Sequence, residues 1–487
     1  MPLTVTCTLY RAFTKVLKDW VYGWAEFRGL LTELQNGFRK GRRLEDNLFV
    51  LTQCAEIARK ENRGLLCCFL DVEKAYDNVP HASLFKCLSD LGLPEALQST
   101  IKQLYSGNAV TAAFAGVTTE SVEVSKGLRL GCPLSPILYL LYVSELERAI
   151  VKSSRGFSLK FSTTGIDENR KIPGLAFADD IVLMAENPRY MQVLLNICAA
   201  EIEKLGLRYN AKKTTVVQLV GVAPGCLIVQ VPRSDAAFRG DIYGQHEEII
   251  RRIALRAQCV LRRRSLCVFN RYLMVQDMWK LVHVPALTFC NATVCLSLVT
   301  REWLERRQRE VGRTALGSHG AVANEAVQGD LWWSTFEARE AASQLTYRGG
   351  MQFMLKERLA RQVFEYLAAT CMRTDWTNRI YRLEKKYGFF TAPIQADTMR
   401  QYVKAVRDRV QETEEELWLQ EMSGKTSVTL YGQHKRAISA VSIYNSLGSR
   451  LLFEAVLGHC AHWNASGLLT GLRLRAQADG SKCAGKI

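Results

Sequence analysis

The sequence predicts an α+β fold, and three patterns predict it. The run Leu65-Leu-Cys-Cys-Phe-Leu-Asp71 follows Gly64 and is short, apolar and of buried-strand length, so Asp71 falls at a strand's end. The run Gly174-Leu-Ala-Phe-Ala-Asp-Asp-Ile-Val-Leu-Met184 reads as strand, Asp179-Asp180, strand, a tight hairpin with both carboxylates at its tip. Around these runs, apolar residues recur at helical spacing, so strands and helices alternate.

Apolar residues every three or four positions predict a first helix over 16–34, leading into the polar turn Gln35-Asn-Gly37. The basic segment Gly37-Phe-Arg-Lys-Gly-Arg-Arg43 precedes a second helix at Leu44, with Asp46 and Asn47 capping or flanking its start. Pro80, Gly92 and Pro94 bracket a further helical stretch, and the Val/Thr-rich piece from Ala109 to Val124 alternates about Gly116 as a hairpin does. After the turn Gly127-Leu-Arg-Leu-Gly131, Cys132-Pro-Leu-Ser-Pro136 opens a helix through Leu146, with Pro136 in the first turn, where a missing N–H does no harm. Tyr190, Leu194, Cys198, Ile202 and Leu205 share one helical face, which Gly206 terminates.

Past residue 245 the chain turns to long basic helical stretches, with the boundary near Gly240 to Gly244. From Arg251 to Arg313 there are 13 Lys or Arg against 4 Asp or Glu, a net +9 of the chain's +16. Such clustering favours phosphate contact over a merely solvated face. The acidic run Glu412-Thr-Glu-Glu-Glu416 is predicted to face solvent.

Length (487 residues) and 48% hydrophobic content give two or three globular domains, and the pI of about 9.2 calls for a polyanionic partner. A membrane surface is the competing partner. Against it, no run approaches about eighteen uncharged apolar residues, and Met1-Pro-Leu-Thr-Val-Thr-Cys7 lacks the basic start of a signal peptide, so an intracellular protein is expected. The 15 cysteines include no Cys-x-x-Cys pair, which predicts reduced thiols, and His459, Cys460, His462 and Cys483 match no usual zinc ligand set.

Carboxylates embedded in apolar runs need an offsetting positive charge. Magnesium suits Asp71, Asp179 and Asp180, because hard divalent ions take carboxylate oxygens, and two of them clamp the attacking and leaving oxygens of a phosphoryl transfer. Nucleotidyl transfer is the chemistry these residues point to.

Five ordered blocks over about residues 2–215 carry a family resemblance. The blocks are Gln35-Asn-Gly-Phe-Arg-Lys-Gly-Arg-Arg-Leu-Glu-Asp46, Leu70-Asp-Val-Glu-Lys-Ala-Tyr-Asp77, Gly127-Leu-Arg-Leu-Gly-Cys-Pro-Leu-Ser-Pro136, Phe177-Ala-Asp-Asp180 and Leu205-Gly-Leu-Arg-Tyr-Asn-Ala-Lys-Lys-Thr214. They resemble the N-terminal block and motifs A, B, C and D of the reverse transcriptase of non-LTR, LINE-like retrotransposons, most closely tick-transposon reading frames. The resemblance implies a right-hand polymerase: fingers and palm over 1–245, a basic helical thumb over 246–325, and a helical C-terminal extension over 326–487 whose tail is disordered or truncated. It implies RNA-directed DNA polymerisation with an RNA template, a DNA primer and dNTPs, driven by two Mg²⁺ or Mn²⁺ ions.

By the same resemblance Asp71, Asp179 and Asp180, with Val72, hold the metals, and Lys213 donates a proton to the pyrophosphate leaving group. Tyr76 is the ring gating the sugar 2′-position, with core packing as its plainer role. Arg39, Arg42 and Arg43 lie near the template or triphosphate, with a solvated basic loop as the alternative; Arg129, Gly131 and Pro133 form the motif B turn that lets substrate approach. Three departures stand out. Leu130 replaces the family's glutamine; Phe238-Arg-Gly-Asp-Ile-Tyr-Gly244 is a poor match to the primer-gripping block; and although Gly448-Ser-Arg-Leu-Leu-Phe-Glu454 still resembles the family, no Cys/His block follows. These departures, with a start close to the family's early fingers block, predict a fragment or decayed copy. The rivals to an active polymerase are a nucleic-acid-binding relic and a metal-dependent nuclease.

Overall fold

The computed structural model describes residues 6–435 apart from 112, 115–116, 164–165, 221–241, 265–270, 319–321 and 332. The Gly116 turn, the Phe238–Gly244 block up to residue 241, and the C-terminal His/Cys residues and Gly448–Glu454 segment lie outside the described residues. The chain divides into two compact units, one of residues 1–240 and 354–375, the other of 241–353 and 376–487.

In the first unit, helix α1 (Thr8–Phe27) stops seven residues short of the predicted end. Arg28 caps it and Gly29 takes a φ of 61°, a left-handed conformation that closes helices, so Leu31 and Leu34 reach the core from irregular backbone. Helix α2 (Leu44–Lys60) starts where predicted, with the Asp46 carboxylate accepting from the Arg43 N–H at 3.1 Å. Strand β1 (Leu65–Leu70) ends immediately before Asp71. Helices α3 (His81–Asp90) and α4 (Glu95–Tyr105) follow, and then four two-residue strands: β2 (Ala109–Val110) pairs with β5 (Val122–Glu123), and β3 (Ala113–Phe114) with β4 (Val117–Thr118).

Helix α5 (Ser135–Lys152) is buried along most of its length, with Pro136 in its first turn. A hairpin of β6 (Phe157–Thr163) and β7 (Ile166–Ile172) leads to β8 (Gly174–Phe177) and β9 (Asp180–Ala185). Helix α6 (Pro188–Lys204) buries Met191, Leu194, Leu195, Cys198 and Ile202, and β10 (Thr215–Val220) completes the antiparallel sheet β10-β1-β9-β8. Cys67 and Cys68 of β1 are wholly enclosed, and burial pushes the Cys68 thiol up to about 12, so these residues act as small apolar side chains.

A segment beyond residue 350 packs back on helix α2 and strand β6. Arg358 pairs with Asp46, which is only 2% exposed, and donates to the Gly41 carbonyl at 2.9 Å; the Tyr366 hydroxyl donates to Glu61, and the Asp375 N–H to Glu56 at 2.6 Å.

The second unit is helical. Its core joins Trp279, Leu304, Val311, Trp333, Phe336, Trp418 and Tyr431, so residues on both sides of position 325 share one interior. Several of its basic residues serve that interior. Arg301 pairs with Glu337 at 3.0 Å, and Arg313 donates to the Val322 carbonyl and Asn324. In the acidic run Glu412 and Glu416 are exposed as expected, and Glu414 departs from it. Glu414 accepts from Thr335, Lys386 and Tyr387 at 2.7–2.9 Å, because three donors on neighbouring helical segments converge on it.

Candidate active site

Strand register assembles the acidic residues. Leu70 pairs with Ile181, so the next step along β1 and β9 brings Asp71 beside Asp180, while Phe177 pairs with Asp180 and leaves Ala178-Asp179 as a two-residue loop. Motif D arrives by main-chain bonds: Asn210 N–H donates to the Asp71 carbonyl at 2.7 Å and Glu73 N–H to the Arg208 carbonyl at 2.8 Å. Val72 thus faces Tyr209 as a non-hydrogen-bonded pair, and its own carbonyl stays out of that pairing. A turn at Asn210, closed by the Lys213 and Thr214 N–H groups on its carbonyl, places the Lys213 ammonium 3.3 Å from the Asp71 carboxylate.

The acidic residues form one electrostatic group. Burial, then the charges of Asp179 and Asp71, raises the Asp180 carboxyl above its ordinary range, and Lys213 opposes the rise. They are not drawn into ligating contact: among the described residues no three His, Cys, Asp or Glu side chains gather as a metal site. Three like charges repel, and one ammonium, two-thirds exposed, offsets little of that. The donor set itself, hard carboxylates with an excess of negative charge, fits a divalent cation.

Tyr76 is buried and stacks on Tyr139 with ring centroids 4.6 Å apart. Burial and then the nearby Asp179 raise its hydroxyl strongly, and that hydroxyl has no hydrogen-bond partner, so the ring is both packed and close to the acidic tip. The motif B turn leans on the same loop: Leu128 N–H donates to the Tyr76 carbonyl and Gly127 N–H to the Val79 carbonyl, both at 2.8 Å. Gly131 is exposed with φ of 97°, a conformation side chains resist, and Pro133 follows it half-buried.

The arginines are differently placed. Arg39 is 7% exposed, forks onto Glu26 at 2.8 and 2.9 Å and donates to the Thr32 and Gln35 carbonyls; Arg42 grips Glu33 at 2.6 and 2.8 Å. Both guanidiniums brace their own loop, since a buried cation needs its counter-charge close by. Arg129 donates to the Tyr10 hydroxyl, the Leu104 carbonyl and Asn108, tying the motif B turn to α1 and α4. Arg43 contributes its N–H to the start of α2.

Sequence patterns missed a buried network behind the hairpin. Gln35 and Glu147, 112 positions apart, are bonded at 2.8 Å, and Thr32 donates to the other Glu147 oxygen at 2.7 Å. Burial pushes the Glu147 carboxyl up to about 7, against the pull of Thr32, Gln35, Arg39 and Arg148. A carboxyl raised on folding favours the folded state fully below its ordinary value near 4.5, and that advantage is lost as pH rises to about 7. Wild type is therefore expected to lose up to about 3 kcal/mol relative to Glu147→Gln between pH 4.5 and 8. Paired urea melts across that range check it; parallel curves would refute it.

An antiparallel sheet thus presents grouped carboxylates at a strand end and a hairpin tip, beside a lysine and a glycine turn. The chain belongs to the reverse transcriptase (RNA-dependent DNA polymerase) family, whose model matches residues 1–247. The type-1 R2 retrotransposable-element Pol polyprotein of Nasonia vitripennis is 28% identical over 219 residues, covering 45% of this chain and 20% of that protein. The R2DM Pol polyprotein of Drosophila melanogaster is 30% identical over 187 residues, covering 38% and 17%. The chain thus spans about a fifth of the length of these relatives. A solved telomerase from Candida albicans with a telomeric RNA fragment covers 81% of this chain and 58% of its own at 11% identity and TM-score 0.35. The mixed helix and antiparallel-sheet architecture is consistent with a right-hand polymerase.

Proposed function

We propose that the chain is the RNA-directed DNA polymerase of a non-LTR retrotransposon, extending a DNA primer on an RNA template with dNTPs inside the cell. The observation that carries this reading is the grouping of Asp71, Asp179 and Asp180, with Lys213 paired to Asp71, within a family match covering half the chain. Asp71, Asp179 and Asp180, with the Val72 carbonyl, would hold two Mg²⁺ ions, whose chemistry would be to offset triphosphate charge and lower the pKa of the primer hydroxyl. Lys213 supplies a mobile ammonium at the leaving group. The stacked Tyr76 ring limits room at the sugar, and Gly131 and Pro133 shape the approach. Given their internal bonds, Arg39, Arg42 and Arg129 act by holding the fingers loop and motif B turn in place. Residues 1–245 serve as fingers and palm, 246–325 as thumb and 326–487 as extension, with 354–375 returning to the palm unit. Among the described residues no helix is long and apolar enough to cross a membrane.

Primer extension on an RNA template tests the reading. Mg²⁺-dependent incorporation is expected, and its absence would leave the nucleic-acid-binding relic. Leu130 is half-buried in the motif B turn and offers no hydrogen bond. Leu130→Gln is expected to raise the incorporation rate about fivefold, the worth of roughly one hydrogen bond. Single-turnover kinetics that show no gain would absolve Leu130.

A further inference from the structure

The tip that carries Asp179 is strained. Ala178 has φ of 59°, a conformation costly for a residue with a side chain, so the surrounding structure must hold it. Gln35, fully buried, does so with every polar site it has. Its amide oxygen accepts from the Ala178 N–H at 2.8 Å and the Gly37 N–H at 2.9 Å, while its amide nitrogen donates to the Ala178 carbonyl at 3.2 Å and to Glu147 at 2.8 Å. Both main-chain groups of the strained residue are therefore bonded to one side chain.

The adjoining backbone reinforces the grip. Asn36 N–H donates to the Ala176 carbonyl at 3.0 Å and Ala176 N–H to the Leu34 carbonyl at 2.8 Å, so residues 34–36 run as an added strand beside β8. Gly37 lies so close that a Cβ there would sit 2.3 Å from the Ala178 nitrogen. Glu147, on buried helix α5, gives the amide a fixed anchor.

We propose that Gln35, anchored by Glu147, is a positioning residue that clamps Ala178 in its left-handed conformation and thereby aims Asp179 and Asp180 at the reaction centre. The proposal rests on the polymerase reading for its catalytic consequence, but the clamp itself is a property of the protein alone. Gln35 touches no reacting atom. Its removal acts on the acidic tip, raising the Mg²⁺ concentration needed for half-maximal rate and lowering kcat, while KM for dNTP is preserved.

The test compares wild type with Gln35→Met, Gln35→Glu and the double variant Gln35→Glu/Glu147→Gln, by primer extension and by hydrogen exchange without metal or substrate. Gln35→Met is expected to lower kcat about 10- to 100-fold with KM for dNTP within about threefold, the range of a lost positioning contact. Exchange in a peptide spanning 177–181 should quicken at least about tenfold, while β1 stays protected. Gln35→Glu sets two carboxylates together and should be worse; Glu147→Gln restores a donor to that contact and should recover about tenfold over Gln35→Glu. Should Gln35→Met unfold, this recovery decides the matter instead. An unchanged exchange rate at 177–181 in a folded Gln35→Met, or a double variant no better than Gln35→Glu in both kcat and exchange, overturns the clamp. Wild type without extension but with the expected exchange pattern sinks the polymerase reading and leaves the clamp standing.

Discussion

Asp179→Asn is expected to abolish template-directed extension, by about 10³-fold or more, while leaving the fold intact. The loss follows from removing a carboxylate that supports metal-ion stabilisation worth several kcal/mol, at a factor of ten per 1.36 kcal/mol. Stability should hold because Asp179 sits on a two-residue loop and takes part in repulsion rather than packing: its charge is the second cause, after burial, of the raised Asp180 carboxyl. In Asp179→Asn the Asp180 carboxyl should fall toward its ordinary range, and the melting temperature should stay level or rise slightly. Extension assays beside thermal melts give the answer. A variant that still extends primers, or one that loses activity only because it unfolds, would remove Asp179 from the reaction.

The second large effect concerns the fold. Asp46→Ala is expected to destabilise the first unit by about 3–5 kcal/mol, because it removes the buried carboxylate that pairs with the Arg358 guanidinium. That is a large share of the roughly 5–15 kcal/mol that stabilises a domain. About 1 kcal/mol of the loss belongs to the cap on Arg43 N–H, which no change at position 358 restores. Asp46→Ala/Arg358→Met should therefore recover most of the deficit, leaving about the cap's share. Urea unfolding followed by hydrogen exchange in α2 and in 354–375 measures both. If Asp46→Ala alone costs under about 1 kcal/mol, the pair is not holding the returning segment in place.

Much of the first unit was legible because its signals are local. The apolar run before Asp71 and the Asp179-Asp180 hairpin announce themselves by strand length and alternation, and both form as predicted. The Pro136 start of α5 and the Gly206 end of α6 depend on a residue's own backbone limits, which a sequence displays directly. The first helix was read too long for the converse reason: Leu31 and Leu34 keep a helical spacing and a buried position although Gly29 has already turned the chain. Glu414 misled similarly, since a charge run looks alike whether it meets solvent or three donors from distant segments.

By itself the sequence determined which residues carry charge at the strand end and hairpin tip, and in what order the family's blocks follow one another. Only the tertiary structure decided that Arg39, Arg42 and Arg129 spend their guanidiniums on internal partners, that Gln35 and Glu147 lock the Ala178 turn, and that 354–375 packs on α2. The reason is the separation of partners. Spacing reveals neighbours within a helix or strand, whereas these contacts run across turns, from Arg42 on Glu33, 9 positions away, to Asp375 on Glu56, 319 positions away, and exist only once the chain has closed and burial has made each unmet hydrogen bond or charge costly.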